Sequence, residues 1–529
     1  MRSERLGGYF VSNYIVTLII LAILVPLIPA LWLYIHDERQ NEHSVLKNYP
    51  LLGRFRYIVE KTGPEFRQYL FHNDREGKPF NRKEFEYVNK AGKYNTRMMG
   101  YGAERDFTED GWYLVNDMFP VQAEEIRIDQ SEPIKTKLYD IEKEQLFKRK
   151  EHRFDSELDP VYLHDDDCVI LGEHTVDHPF RLKGLIGQSA MSFGSLGDHA
   201  ITALSKGLGR AGGTWMNTGE GSVSPYHLKG DVDIIMQISP GLFGVRTKDG
   251  EFSWEAFRDQ ASREQIKAFE LKLAQGAKTR GGHVDGKKVT EEIAEIRKVE
   301  PGIDIDSPNR FPGIDTPAQL LHFLSDLRAS GGKPVGMKIV AGNEQQVERL
   351  VSAMVEEDIV PDFLTVDGGE GGTGASYYAL AYSVGLPAFS AIPMVDDMLK
   401  KYGIRRRTKI IASGKLLTPD KITMALALGA DLINIARGFM MSVGCIMSQV
   451  CHKNTCPVGV ATTDAELQQA LVIEEKNYRV TNYLISLRQG LFDLAAVAGL
   501  DSPTKFTREH IVYHSDFRKV INEEDGAGR

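Results

Sequence analysis

The spacing of apolar and polar positions divides this chain into blocks. From Tyr14 to Ile35 there is no charged residue, and the run is dominated by Ile, Leu and Val. It is long enough to cross a bilayer as one helix. Pro26 and Pro29 are tolerable in a membrane helix, and Trp32 and Tyr34 suit a lipid–water interface. A secretory signal is the competing reading. The run is long for a signal core, however, and no small-x-small site follows before His36-Asp37-Glu38-Arg39. The pattern therefore predicts a tail over 1–13 and a retained membrane helix over 14–35.

Residues 36–150 are polar and rich in charged and aromatic side chains. Phe80-Asn-Arg-Lys-Glu-Phe-Glu-Tyr and Ile141-Glu-Lys-Glu-Gln-Leu-Phe-Lys-Arg-Lys read as helices or solvated connectors rather than as core. Over 151–500 short apolar runs recur: Leu182–Ser189, Val232–Ile238, Val335–Val340, Phe363–Asp367, Lys409–Ser413 and Leu432–Ala436. They read as strands. Helix-period segments lie between several of them, at Thr316–Leu327, Glu344–Val355 and Thr418–Leu428. Thr316-Pro317 and Thr418-Pro419 each set an N-cap before a proline in the first helical turn. Alternating strands and helices imply a parallel sheet. Gly-rich or polar segments after the strands suit an α/β fold of the (β/α)8 TIM-barrel type, with its site in the loops after the strands. A tail over 501–529 is expected to follow.

Composition adds little except by exclusion. The net charge is −9 and no polybasic run stands out, so nucleic acid is not an expected partner. The flanks of the apolar run carry Arg2 and Arg5 before it, and Arg39, Lys47, Arg54 and Arg56 after it. That slight excess favours a cytoplasmic C-terminal side.

Three of the four cysteines lie together as Cys445-x5-Cys451-x4-Cys456, closed by Pro457. Thiolates select zinc, copper(I) or iron–sulfur clusters. Zinc sites usually pair cysteines as C-x2-C and need four ligands. This wider spacing reads better as an iron–sulfur site, with three irons, or four and a non-cysteine ligand. The plain alternative is three buried free thiols.

Other candidate chemistry lies at strand ends. Ser413-Gly414 and Arg437-Gly438 follow two late strands and suit a phosphate. Gly368 and Gly369 open a Gly-rich loop that lets backbone approach a flat or anionic ligand. Lys338 sits inside a strand, opposite in facing to Met337 and Ile339, and is expected to point into the barrel. Lys278, Arg280 and His283 cluster in one loop, with Arg297 in the next helical run, a set suited to carboxylates.

Several of these motifs, in the same order, resemble the FMN-binding synthase domain of glutamate synthase large subunits. They are Ser189-Ala-Met-Ser-Phe-Gly-Ser195, Asn217-Thr-Gly-Glu-Gly221, Gln275-Gly-Ala-Lys278, Asp367-Gly-Gly-Glu-Gly-Gly-Thr-Gly-Ala375 and Cys451-His-Lys-Asn-Thr-Cys-Pro457. The resemblance runs from about 182 to 465. It implies a TIM-type barrel, FMN and a 3Fe-4S cluster on Cys445, Cys451 and Cys456. It implies flavin contacts from Met191, Ser192, Asn217, Gln237, Lys338, Gly368, Gly369, Ser413, Gly414 and Arg437. It implies 2-oxoglutarate binding by Lys278, His283 and Arg297, with Glu220 and Lys338 as catalytic groups. Two positions depart from the family pattern: His283 stands where Gln is usual, and Leu242 where Arg is usual before Phe243-Gly244.

The implied activity is reductive amination of 2-oxoglutarate to glutamate. The electron donor would be ferredoxin or an NAD(P)H-oxidising subunit. The large subunits start with a glutaminase domain bearing an N-terminal Cys, whereas this chain starts Met1-Arg2. Ammonia is therefore expected from outside, with a separate glutaminase as one source. The large subunits also carry a C-terminal β-helix that is not expected here. Two other functions compete: a membrane-tethered FMN/iron–sulfur oxidoreductase on another 2-oxo acid or amine, such as formation of an N-substituted glutamate, and an electron-transfer subunit.

Overall fold

The computed structural model describes residues 3–129, 131–140 and 153–515. The helix or connector expected over 141–150 lies outside the described residues. The chain divides into two compact units, Met1–Lys83 and Glu84–Arg529.

The first unit opens with one helix, Ser3–Arg39, that contains Pro26 and Pro29. Its stretch Tyr14–Arg39 contains an 18-residue segment of mean hydropathy 2.7, none of which is buried, and is long and apolar enough to span a bilayer. A short helix, Ser44–Asn48, and a longer one, Leu52–Phe66, follow. The second runs on into a π-helical turn, Arg67–Phe71.

The second unit is built on a closed barrel of eight parallel strands. We number them β1 (Ile186–Gln188), β2 (Trp215–Asn217), β3 (Asp233–Ile238), β4 (Ile266–Lys272), β5 (Val335–Ile339), β6 (Phe363–Asp367), β7 (Lys409–Ser413) and β8 (Leu432–Ile435). Each pairs with the next, and β8 closes on β1 with Ile433 opposite Ile186. Both faces of these strands are covered, so β6 and β8 are buried along their whole length. The helix Pro317–Gly331 starts where expected. Thr316 Oγ1 accepts from the Gln319 N–H while the Gln319 side chain accepts from the Thr316 N–H, a reciprocal cap. Inside the barrel the Trp215 ring lies across Gly187, where any Cβ would fall 2.1 Å from the indole. The indole N–H donates to Asn434 Oδ1 at 2.9 Å, tying β2 to β8 through the interior.

Three boundaries differ from the sequence reading. β2 and β4 were not among the expected strands. The unit that holds the barrel begins at Glu84, not 151: Val88 and Ala91 are fully buried, and the strand Ile134–Tyr139 docks by a Thr136–Asn482 hydrogen bond of 2.6 Å. The expected C-terminal tail contains a strand, Ile511–His514, paired antiparallel with Gly111–Leu114.

Candidate functional site

The carboxyl ends of the barrel strands carry polar side chains that converge inside. Strand alternation turns Glu270 and Lys272 of β4 inward, while Phe269 packs outward on Phe257 with ring centroids 4.7 Å apart. Glu270 is the hub of the lower layer. Its Oε1 accepts from Asn217 Nδ2 at 2.9 Å and Gln237 Nε2 at 2.7 Å, and its Oε2 accepts from Thr365 Oγ1 at 2.5 Å. Asn217 also accepts from the Gly219 N–H, which shapes the turn bearing Glu220.

One layer above, Lys272 and Lys278 grip Glu220 at 3.0 and 3.2 Å. Burial alone pushes the Glu220 carboxyl up, but the two ammonium groups outweigh it and hold it well below the usual range. The same burial lowers Lys272 to about 8, opposed by Glu220 and reinforced by the Lys278 and Lys338 charges. Lys338 reaches Asp367 at 3.3 Å. Arg297 is buried at the end of the helix Glu291–Arg297, donates from Nη2 to the Phe193 carbonyl at 2.9 Å and lies 5.5 Å from the Phe243 ring centroid. Burial lowers its pKa and the Glu220 charge opposes that. Arg297 Nε, buried at this end, has no hydrogen-bond partner among the described residues. An unmet donor among four buried cations fits a polar, anionic ligand.

The remaining expected flavin positions line the same end. Met191 and Ser192 are buried in the loop after β1; Ser192 Oγ lies 2.9 Å from Ser195 Oγ. Gly368 donates to the Ser413 carbonyl at 2.8 Å, so the loops after β6 and β7 are bound together. Gly414 sits at φ +140, a conformation that side chains resist. Arg437 donates from Nη2 to the Glu370 carbonyl at 2.9 Å. Gly276 and Gly371 pack backbone to backbone: a Cβ on Gly276 would fall 2.0 Å from the Gly368 carbonyl oxygen. These features leave a floor of closely packed small residues with the Arg437 guanidinium beside it, which fits a flavin with its phosphate near Ser413–Gly414 and Arg437.

His283 is not brought into this set. It lies on a short antiparallel pair of strands, His283–Val284 with Ile305–Asp306, and its Nδ1 sits 2.9 Å from Asp306 Oδ1 at an exposed position. Its neighbour Gly282 makes the closer approach, since a Cβ there would fall 2.8 Å from Glu220 Oε1. Leu242, the other departure, is buried with φ 53. Sequence reasoning missed Lys272 and Glu270. The signal available was the alternation Glu270-Leu271-Lys272 just before Gln275-Gly-Ala-Lys278.

The cysteine loop follows the helix Arg437–Ser442. All three thiols are free, and Cys445 Sγ accepts from the Met447 N–H at 3.4 Å. Burial pushes the Cys445 thiol up to about 11, and Cys451 and Cys456 are near enough to add to it. Lys288 is buried beside the loop and donates to the Cys451 carbonyl at 2.7 Å. Among the described residues no three His, Cys, Asp or Glu side chains converge as a single-ion site. Three neighbouring free thiols with a cation and a backbone donor still suit a cluster, which accepts soft ligands and gains from such donors.

A family model described as a conserved region in glutamate synthase matches residues 122–501. The chain is 60% identical over 508 residues to a glutamate synthase large subunit-like protein, YerD, of Bacillus subtilis (strain 168), covering 96% of this chain and 97% of that one. It is 31% identical over 359 residues to an archaeal-type glutamate synthase [NADPH] of Thermotoga sp. (strain RQ2), covering 67% and 66%. Against the glutamate synthase [NADPH] large chain of Bacillus subtilis it is 30% identical over 339 residues, covering 62% of this chain and 21% of that one.

Proposed function

Because the chain belongs to the glutamate synthase family, we propose that it reductively aminates 2-oxoglutarate to glutamate, with FMN and a 3Fe-4S cluster as cofactors and ammonia supplied from outside the chain. The protein is an oxidoreductase acting on CH–NH2 groups. The observation that carries the substrate proposal is the buried set of Lys272, Lys278 and Arg297 around Glu220.

When bound, the flavin would supply a hydride and the cluster single electrons. The chain's own residues bind and orient. Ammonia and the 2-oxo group condense with loss of water, and the imine takes up two electrons and two protons. The lysines and Arg297 would hold the substrate carboxylates by charge-assisted hydrogen bonds and fix the imine carbon in place. Glu220, kept ionised by its lysines, would accept hydrogen bonds from ammonium and so hold it near the 2-oxo group. Lys338, set by Asp367, would place a positive charge beside the flavin ring. The wall of buried apolar residues behind these groups excludes water and strengthens each charge interaction. The NADPH in the names of the relatives supports an NAD(P)H-oxidising partner as electron source, with ferredoxin as the other class.

A second reading keeps both cofactors and changes the substrate to another 2-oxo acid or amine. It is favoured by two observations: His283 is turned to Asp306, and Leu242 is apolar and buried. Anaerobic reoxidation of the reduced protein separates the readings. The expected result is reoxidation by 2-oxoglutarate that requires ammonia and yields glutamate. Reoxidation only with methylamine, or only with a different 2-oxo acid, would establish the second reading instead.

For location, the proposal is a single-pass anchor at the N-terminus with the barrel in the cytoplasm, supported by the Tyr14–Arg39 stretch. Alkaline carbonate extraction should leave the full-length protein in the membrane pellet.

A further inference from the structure

The helix Leu52–Phe66 has one side that its own unit covers and one that it does not. Gly53 packs against Val45 and Leu46 of the short helix, and Tyr57 lies 5.1 Å from the His43 ring. On the opposite arc Leu52, Phe55, Ile58, Val59 and Phe66 are exposed, and Phe71 continues the apolar surface at 74% exposure. At 100° per residue the first five fall within one arc of about 120°. An uncovered apolar stripe of this width marks a surface meant to be covered.

One ion pair fixes the start of this helix to the end of the apolar run. Asp37 is fully buried, and its carboxylate accepts from Arg54 Nε at 2.9 Å, Arg54 Nη2 at 2.5 Å and the Leu51 N–H at 3.1 Å. Asp37 lies two residues past Ile35, the last residue of the uncharged run. At 1.5 Å of rise per residue, that is about 3 Å beyond the apolar segment. The polar layer of a bilayer extends roughly 5–7 Å on each side of the hydrocarbon. With the apolar run across a bilayer, the start of the Leu52 helix would lie at headgroup depth. Arg54 is taken up by Asp37, and the rest of Leu52–Phe71 carries Arg56, Lys61 and Arg67 against Glu60 and Glu65, a small excess of positive charge.

Resting on the membrane-anchor reading above, we propose that Leu52–Phe71 is an interfacial element. Its apolar arc is set into the boundary between headgroups and acyl chains, and its basic side chains face anionic headgroups. The depth set by Asp37 and the charge excess favour lipid over a protein partner. The aromatic content of the arc agrees, since aromatic side chains collect at that depth.

The test uses the full-length protein in mixed phosphatidylcholine–phosphatidylglycerol vesicles that contain a photoactivatable phospholipid. The carbene precursor is placed either near the glycerol or at the acyl-chain end, and labelled peptides are mapped by mass spectrometry. The expected result is shallow labelling within 52–71 and deep labelling within 14–35. Substituting Phe55→Glu together with Val59→Glu should reduce shallow labelling by about tenfold or more and leave deep labelling unchanged. Deep labelling of 14–35 with no shallow labelling of 52–71 would overturn the interfacial helix and leave the anchor standing. Loss of the deep labelling alone would remove the anchor and keep the helix. Crosslinks from 52–71 to a second copy in place of lipid, or shallow labelling that survives the double substitution, would also overturn the proposal.

Discussion

Lys338 Nζ lies 3.3 Å from Asp367 Oδ2, and each side chain is only 5% exposed. The same carboxylate oxygen accepts the Gly276 N–H at 2.8 Å. Asp367 thus joins β5, β6 and the loop that delivers Lys278. Removing one partner of a buried pair leaves the other charge uncompensated, which costs about 3–5 kcal/mol. Asp367→Asn should lower the unfolding free energy by roughly that amount. Adding Lys338→Met to it should recover a large part of the loss. Equal losses in the single and double variants, by urea denaturation, would show that the two residues are not coupled.

His227 gives a pH dependence with a defined sign. Its Nδ1 accepts the Ser224 N–H at 3.1 Å, so its proton sits on Nε2, which faces the Met191 carbonyl at 3.3 Å. Burial lowers its pKa from 6.5 to about 4, with the Met191 carbonyl opposing. Between those values the unfolded chain binds the extra proton and the folded chain does not. Stability is therefore lost as the pH falls from 6.5 towards 4, by roughly 3 kcal/mol from this group. Denaturation midpoints measured across that window should slope downward with acid. His227→Gln should flatten the slope.

The parts of the barrel that were legible in the sequence are those whose strands are apolar nearly throughout. Phe363–Asp367 and Lys409–Ser413 match the expected runs residue for residue. Ile266–Lys272 was not seen because its inward positions are Glu270 and Lys272, and a strand with charges at alternate positions looks half-exposed. Its charges are inside because Asn217, Gln237, Thr365 and Glu220 satisfy them, and those partners come from other strands and loops. Trp215–Asn217 is only three residues long, too short for any period to show. The site followed the same logic. Lys278 and Arg297 stood out as charged residues near motifs, and the structure puts both beside Glu220. His283 stood out for the same reason but is held by Asp306, a partner twenty-three residues away in sequence.

The cysteine loop yields a prediction that separates a cluster from inert thiols. Cys451 and Cys456 lie close enough to Cys445 to raise its pKa, and Cys456 raises that of Cys451, whereas Cys168 stands apart in the chain. Protein prepared without oxygen should contain iron and sulfide and absorb in the visible. Cys451→Ser should lose that absorption and most of the iron, while Cys168→Ser should keep both. Zinc in place of iron, or equal iron content in the two variants, would remove the cluster from the proposal.

Arg297 offers the sharpest test of the substrate. It is 1% exposed, its Nε has no partner among the described residues, and one Nη donates to the Phe193 carbonyl. A buried guanidinium with an unmet donor is costly unless something anionic completes it. A substrate carboxylate would do so, at roughly 1.5–3 kcal/mol per charge-assisted hydrogen bond. Arg297→Ala should therefore weaken 2-oxoglutarate binding by about tenfold to a hundredfold, read as the change in flavin absorbance on titration. Most of the flavin content should be retained, because Arg297 touches the flavin loops only at Phe193 and Gly194, beside Met191 and Ser192, and not at the loops after β6, β7 and β8. Arg297→Lys should recover part of the affinity, since it keeps the charge and loses the fork. If both variants bind 2-oxoglutarate as tightly as the parent, Arg297 is a structural cation and the carboxylate site lies elsewhere. If both lose flavin, the residue supports the barrel mouth as a whole.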